Sequence, residues 1–217
     1  MAIKVSFLSQ KGGVAKTSLA RLLARQYAFA DWRVKICDFD VMQKTATDWA
    51  ARRLAASIRP EIEVQGFADV ARALAQDTHY DLLIFDGRGF ADKLTLEIGR
   101  ISEAIFLPSG LAVDDLAPTV RLAHELRKAG VPVERLAIVL ARTGDSEKEI
   151  ADARAYVAQA GYKILSLTLT EKAGYRLAHD QGRAADEAKH PTLRIAAKHL
   201  AEEMAAHITA LTTEKAA

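Results

Sequence analysis

The residues with the most chemical content form one run: Ser9, Gln10, Lys11, Gly12, Gly13, Val14, Ala15, Lys16, Thr17 and Ser18. A strand-like apolar stretch leads into it and a helix-like one leads out. Small residues at such a junction leave successive backbone N–H groups free to wrap an anion, and the helix N-terminus favours negative charge there. Lys16 adds a cation for phosphate and Thr17 a hydroxyl for Mg²⁺, so the run reads as a nucleotide phosphate loop. Two further apolar stretches end in carboxylates, one in Cys37-Asp38-Phe39-Asp40 and the other in Phe85-Asp86-Gly87. Ligands of an open parallel sheet sit beyond the carboxyl ends of its strands, so Asp38, Asp40 and Asp86 are expected to converge on the loop. An Asp in that place serves Mg²⁺ directly or through water. The structural alternatives are helix caps for Asp38 or Asp40 and a plain turn for Asp86-Gly87.

Short apolar runs alternate with longer segments of helical period along the chain, the signature of βαβ units. Strands are predicted at 3–8, 34–39, 62–65, 82–86, 104–108, 135–141 and 163–167. Helices are predicted at 17–29, 45–57, 68–77, 91–100, 114–129, 146–160, 171–181 and 191–211. Ser146 and Glu149 have capping-box spacing, and Pro191 suits a first helical position. Leu193, Ala197, Leu200, Met204, Ile208 and Leu211 recur every three or four residues, giving the last helix one apolar stripe. With no repeat, low-complexity tract or evident linker, the expected fold is α/β: a single doubly wound domain, residues 1–217, with a mainly parallel central sheet flanked by helices.

The chain has 217 residues, half of them hydrophobic and 27% charged, an ordinary globular composition. No segment is apolar for the length of a membrane span, and Lys4 and Lys11 interrupt any signal-peptide core, so a cytoplasmic protein is expected. The single cysteine, Cys37, excludes an internal disulfide or a multi-thiolate metal site and falls in an expected buried strand. A net charge of +2 is too small to argue for nucleic acid by itself.

The pattern G-x-x-x-x-G-K-[ST] is broken twice, by Gln10 and by Ala15. With Lys11 ahead of the two glycines, however, the run resembles K-G-G-x-G-K-T, the deviant phosphate loop of the ParA/MinD ATPases, from which only Ala15 departs. The resemblance covers most of the chain and is nearest the small ParA-type partition ATPases. Asp38-Phe39-Asp40 followed by Gln43, Thr45 and Asp48-Trp49, then Asp86-Gly87-Arg88-Gly89, then Leu107-Pro108-Ser109, all look like segments of that family. Arg142-Thr143 matches its adenine-side loop more weakly, and Lys172, Tyr175, Ala178 and Gly182 follow its spacing near the C-terminus.

The resemblance implies ATP/ADP and Mg²⁺ as cofactors, with the loop from Lys11 to Ser18 and Arg142 around the nucleotide. Lys16 would neutralise the β- and γ-phosphates, Thr17, Asp38 and Asp86 would serve the metal, and Asp40 would orient the attacking water. Lys11 would reach across an ATP-sandwiched homodimer to the partner's nucleotide, making slow hydrolysis conditional on dimerisation. ParA-type proteins also bind non-specific DNA as ATP dimers, which would associate this protein with the nucleoid, and a cargo-bound ParB-like protein stimulates their hydrolysis. Lys172, Arg176, His179 and Arg183 have helical spacing for a phosphate-neutralising stripe if the helix extends past Gly182, and Arg194 and Lys198 form a second candidate patch. If position 15 demands positive φ, the Ala15 methyl costs on the order of 1 kcal/mol and displaces the β-phosphate, leaving binding intact and turnover slow. A positioning ATPase for a non-DNA cargo, a ligase of the same fold and a non-hydrolysing scaffold are the alternatives. A membrane switch is disfavoured because residues 212–217 offer one Lys and no bulky apolar anchor.

Overall fold

The computed structural model describes residues 1–43, 45–90 and 92–213. Its strands are β1 (Ile3–Phe7), β2 (Val34–Asp38), β3 (Glu63–Gly66), β4 (Leu82–Asp86), β5 (Ala104–Ser109), β6 (Leu136–Thr143), β7 (Lys163–Ile164) and β8 (Leu169–Thr170). The α-helices are α1 (Lys16–Phe29), α2 (Thr45–Ala55), α3 (Val70–Leu74), α4 (Lys93–Ile101), α5 (Val113–Lys128), α6 (Glu147–Gln159), α7 (Ala173–Asp180) and α8 (Pro191–Thr213). All eight strands run parallel in the order β3-β2-β4-β1-β5-β6-β7, with β8 beside the far end of β6.

Strand alternation builds two cores. Val5, Phe7, Ile84, Phe106 and Val139 face α1, α2, α7 and α8, while Leu83, Phe85, Ile105, Leu107 and Ile138 face α3 to α6. Near-continuous apolar strands are what a sheet covered on both faces requires. The stripe expected on the last helix is realised, with Ala197, Leu200, Met204 and Ile208 at 1% exposure or less, and Pro191 opens that helix. Ser146 caps α6 by accepting a hydrogen bond from the Glu149 amide. Cys37 is fully buried, and burial pushes its thiol up to about 12, an inert packing residue.

Three expectations need correction. The strand read at 163–167 is only Lys163–Ile164, with an unforeseen second short strand at Leu169–Thr170, because the Glu203 carboxylate takes the amides of Ser166 and Leu167 at 2.6 and 2.9 Å and holds the chain off the ladder between them. The helix read at 68–77 is only Val70–Leu74, started by the Asp69 side chain. The helix read at 171–181 stops at Asp180: Gly182, at φ 74°, turns the chain, and the Arg183 amide bonds back to the Ala178 carbonyl at 2.8 Å. Arg183 is therefore not on the helix face of Lys172 and Arg176. Residue 91, in an expected helix, and residues 214–217, invoked against a membrane anchor, lie outside the described residues.

Candidate nucleotide site

The phosphate loop leaves β1 at the point where the sheet order reverses, since β4 and β5 flank β1 on its two sides. That crevice is where an open parallel sheet takes a ligand. A cavity of about 350 Å³ lies there, floored by the loop and by Asp38 and Asp40. Two residues of the loop adopt left-handed backbone: Gly13 at φ 76° and Ala15 at φ 70°. The position flagged in the sequence thus does demand positive φ, and Ala15 is the N-cap of α1 without offering a side-chain cap.

The two lysines separate. Lys16 is buried, with Nζ 3.0 Å from the Lys11 carbonyl; burial pulls its pKa down and the charges of Asp86 and Asp40 oppose that. Lys11 turns away, and its Nζ lies 2.5 Å from Oδ1 of Asp115 in the first turn of α5. Nothing local in the sequence signals this ion pair, which joins residues 104 positions apart.

Asp38 and Asp86 are register partners on adjacent strands, so the sheet sets their carboxylates side by side. Both are 2% exposed. Burial drives Asp86 up to about 7, against a hydrogen bond from Thr17 and with the Asp38 charge adding to the rise. Asp38 is also raised by burial, although the Asp40 amide donates to its Oδ1 at 2.9 Å. Oδ1 of Asp86 is buried with no hydrogen-bond partner among the described residues. A buried carboxylate pair with an orphaned oxygen beside a threonine hydroxyl fits a hard cation taking oxygen ligands. Among the described residues no group of three or more His, Cys, Asp or Glu forms a metal cluster. Mg²⁺ held by one or two carboxylates and substrate phosphates does not need one.

Val14 is buried and lines a neighbouring depression instead of this cavity, while Gly12, Thr17 and Ser18 line the cavity directly. Arg142, at φ 54°, crosses to the loop: its Nη1 donates to the Gly13 carbonyl at 2.7 Å and its Nε to Glu171 at 2.9 Å. The DNA candidates divide between two places. Lys172 and Arg176 line the nucleotide cavity, paired with Asp145 and Glu171, and His179 lines it too, with Nε2 buried and without a hydrogen-bond partner among the described residues. Arg183, Arg194 and Lys198 line a separate depression between the ends of α1 and α8. Tyr175, noted only for family spacing, also faces the nucleotide cavity. Arg21 was not foreseen; it is a charged residue in an otherwise apolar stretch of α1 and is 4% exposed.

No curated protein matches the chain. Among solved structures, MinD of Pyrococcus horikoshii, described as a septum site-determining protein complexed with Mg-ADP, superposes with a TM-score of 0.74 at 18% identity over 94% of this chain and 96% of that one. Apo McdA of Cyanothece gives 0.74 at 15% identity over 94% of this chain and all of the other. A putative plasmid partition protein of Borrelia burgdorferi, bound to AMPPNP, gives 0.69 at 12% identity over 99% and 100%. These likenesses establish the fold. The family described as the CobQ/CobB/MinD/ParA nucleotide binding domain matches residues 5–183, most of the chain and all of the cavity described above. The chain belongs to that family, the ParA/MinD-type nucleotide-binding ATPases.

Proposed function

We propose that the protein is a dimerising, Mg²⁺- and ATP-dependent ATPase switch of the partition type, which binds non-specific DNA in its ATP state and releases it when a cargo-bound partner stimulates hydrolysis. The observation that carries this reading is the division of the two lysines. Lys16 lines the cavity of its own chain, whereas Lys11 does not line it and is held in a half-exposed ion pair with Asp115. A cation so placed is suited to a second copy's nucleotide. Exposed apolar side chains follow three strand ends around the cavity, with Met42 at 89%, Phe90 at 54% and Val113 at 64% exposure, as a face covered by another copy would have.

In this reading the backbone N–H groups of residues 12–17 cradle the phosphates and Lys16 neutralises their charge. Thr17, Asp38 and Asp86 hold Mg²⁺, which supplies charge neutralisation for the phosphoryl oxygens when bound. Asp40, lining the cavity, would orient a water in line with the γ-phosphorus; the water oxygen bonds to phosphorus as the bond to the bridging oxygen breaks, that oxygen leaves with ADP, one water proton stays on the new phosphate and the other passes to solvent, and Lys11 of the second copy stabilises the charge. Arg183 and Arg194, with Lys198 paired to Glu202 beside them, are the cations proposed for DNA, since Lys172 and Arg176 line the nucleotide cavity itself. In a cell the ATP form would then associate with the nucleoid. The same switch would serve a non-DNA cargo without that patch.

Sedimentation with ADP, ATP and a non-hydrolysable ATP analogue, with and without non-specific duplex DNA, tests the reading. A dimer formed only with ATP or the analogue, lost in Lys11→Ala and able to bind DNA, is the expected result. A nucleotide-bound monomer indifferent to DNA would sink it in favour of a ligase or scaffold.

A further inference from the structure

Arg21 is a buried charge that this mechanism leaves unused. It lies one helical turn beyond Thr17, so its side chain leaves the same face of α1 as the threonine that bonds Asp86. Its Nη2 donates to the Thr45 carbonyl at 2.5 Å, at the first residue of α2. Its guanidinium stacks over the Trp49 ring at 5.1 Å, and Trp49 Nε1 donates to the Arg183 carbonyl at 3.1 Å. Its charge also acts on Asp38 and Asp86. An aliphatic side chain would fill the same space without the cost of burying a guanidinium, so packing alone does not account for it.

We infer that Arg21 is a positioning residue: it fastens the start of α2 to α1, beneath the two carboxylates, and thereby fixes where residues 40–43 present Asp40 to the cavity. The inference rests on the cavity being a nucleotide site. Asp40 lies between anchors on both sides: the Asp38 carboxylate takes the Asp40 amide and also that of Ala46, and Arg21 holds the Thr45 carbonyl. Loss of the Arg21 anchor leaves phosphate binding, which belongs to the loop, and loosens the segment that orients water. Trp49, packed on Arg21, moves with the same tie and reports it.

The test uses Trp32→Phe protein, in which Trp49 is the remaining tryptophan, and compares Arg21 with Arg21→Met and Arg21→Lys. ADP and a non-hydrolysable ATP analogue, each with Mg²⁺, are titrated by calorimetry while Trp49 emission is followed, and hydrolysis is measured separately. The expected result is ADP affinity within about threefold in all three and kcat lowered about tenfold in Arg21→Met with KM little changed, the size of one charge-assisted hydrogen bond. The nucleotide-induced change in Trp49 emission is lost in Arg21→Met and partly regained in Arg21→Lys. An Arg21→Met protein that loses only thermal stability, with kcat and the Trp49 response intact, overturns the inference while the nucleotide site stands. Failure of the parent to bind ADP overturns the cavity reading and this inference with it. Should Arg21→Met not fold, hydrogen exchange on the unmodified protein decides: the amides of Asp48 and Trp49 are expected to open together with those of α1, and independent opening overturns the tie.

Discussion

Replacing Ala15 by glycine removes a methyl group from a residue held at φ 70°, ψ 21°. Left-handed backbone costs a residue with a Cβ about 1–2 kcal/mol. Glycine relieves that cost but has more freedom to lose on folding, which offsets about 0.5–1 kcal/mol. The methyl also packs partly against the core under α1, and losing it offsets a few tenths more. The net expectation is a stabilisation of about 0.5 kcal/mol, or roughly 1–2 °C for a chain of this size. Gly13→Ala is the reciprocal change. It stands at φ 76°, and an added Cβ meets only the Arg142 guanidinium at an ordinary 3.4 Å, so the variant isolates the backbone cost and should lose about 0.5–1 kcal/mol. Thermal and urea unfolding of the nucleotide-free proteins read both, with ADP affinity measured alongside. Because the left-handed backbone of Ala15 belongs to the turn from β1 into α1, the strain is incurred on folding and ADP affinity should move by less than about threefold. Unchanged stability together with a tenfold or greater gain in ADP affinity would refute the reasoning, since the strain would then arise on binding.

Asp115→Asn releases Lys11 from a half-exposed ion pair of about 0.2–1 kcal/mol; with two such pairs broken per dimer, ATP-dependent dimerisation should strengthen by about twofold to thirtyfold in sedimentation. Gly182→Ala adds a Cβ 2.4 Å from the backbone nitrogen of Arg53 at a residue with φ 74°, and urea unfolding should show a loss above about 2 kcal/mol. Arg53→Met takes the guanidinium from the Gly182 and Pro60 carbonyls and from the Glu187 carboxylate, which keeps the Ala184 amide and the Arg25 guanidinium, with an expected loss of about 3 kcal/mol by the same assay. Burial, aided by the charge of Lys163, holds His207 down to about 4, so the unfolded chain binds a proton first and the contribution of this residue to stability is lost as pH falls from about 6.5 to 4. Asp86 and Asp186, raised by burial to about 7 and about 6, act in the opposite sense, which is why the check is the difference between wild type and His207→Gln: the variant should show a shallower acid loss in that window.

The residues that gather at the cavity from β1, α1 and the strand ends were legible in the sequence because a strand–loop–helix junction is local. A strand, two glycines, two lysines, a threonine and a following helix are contiguous from Ile3 to Phe29, and carboxylates at strand ends announce themselves by ending apolar runs. Fold class followed for the same reason, since each βαβ unit writes its own periodicity. What the sequence did not determine was every contact between residues distant in the chain. The pairing of Lys11 with Asp115, the tie from Arg21 to Thr45 and Trp49, and the use of Lys172 and Arg176 at the nucleotide cavity depend on which strand ends and helices the sheet order brings together. The division of the last edge strand depends likewise on one carboxylate of α8 competing for its amides. Types and spacing along the chain state which groups can bind a nucleotide; only the three-dimensional arrangement, in which long-range electrostatics and packing select partners, decides which lysine faces its own cavity and which faces away.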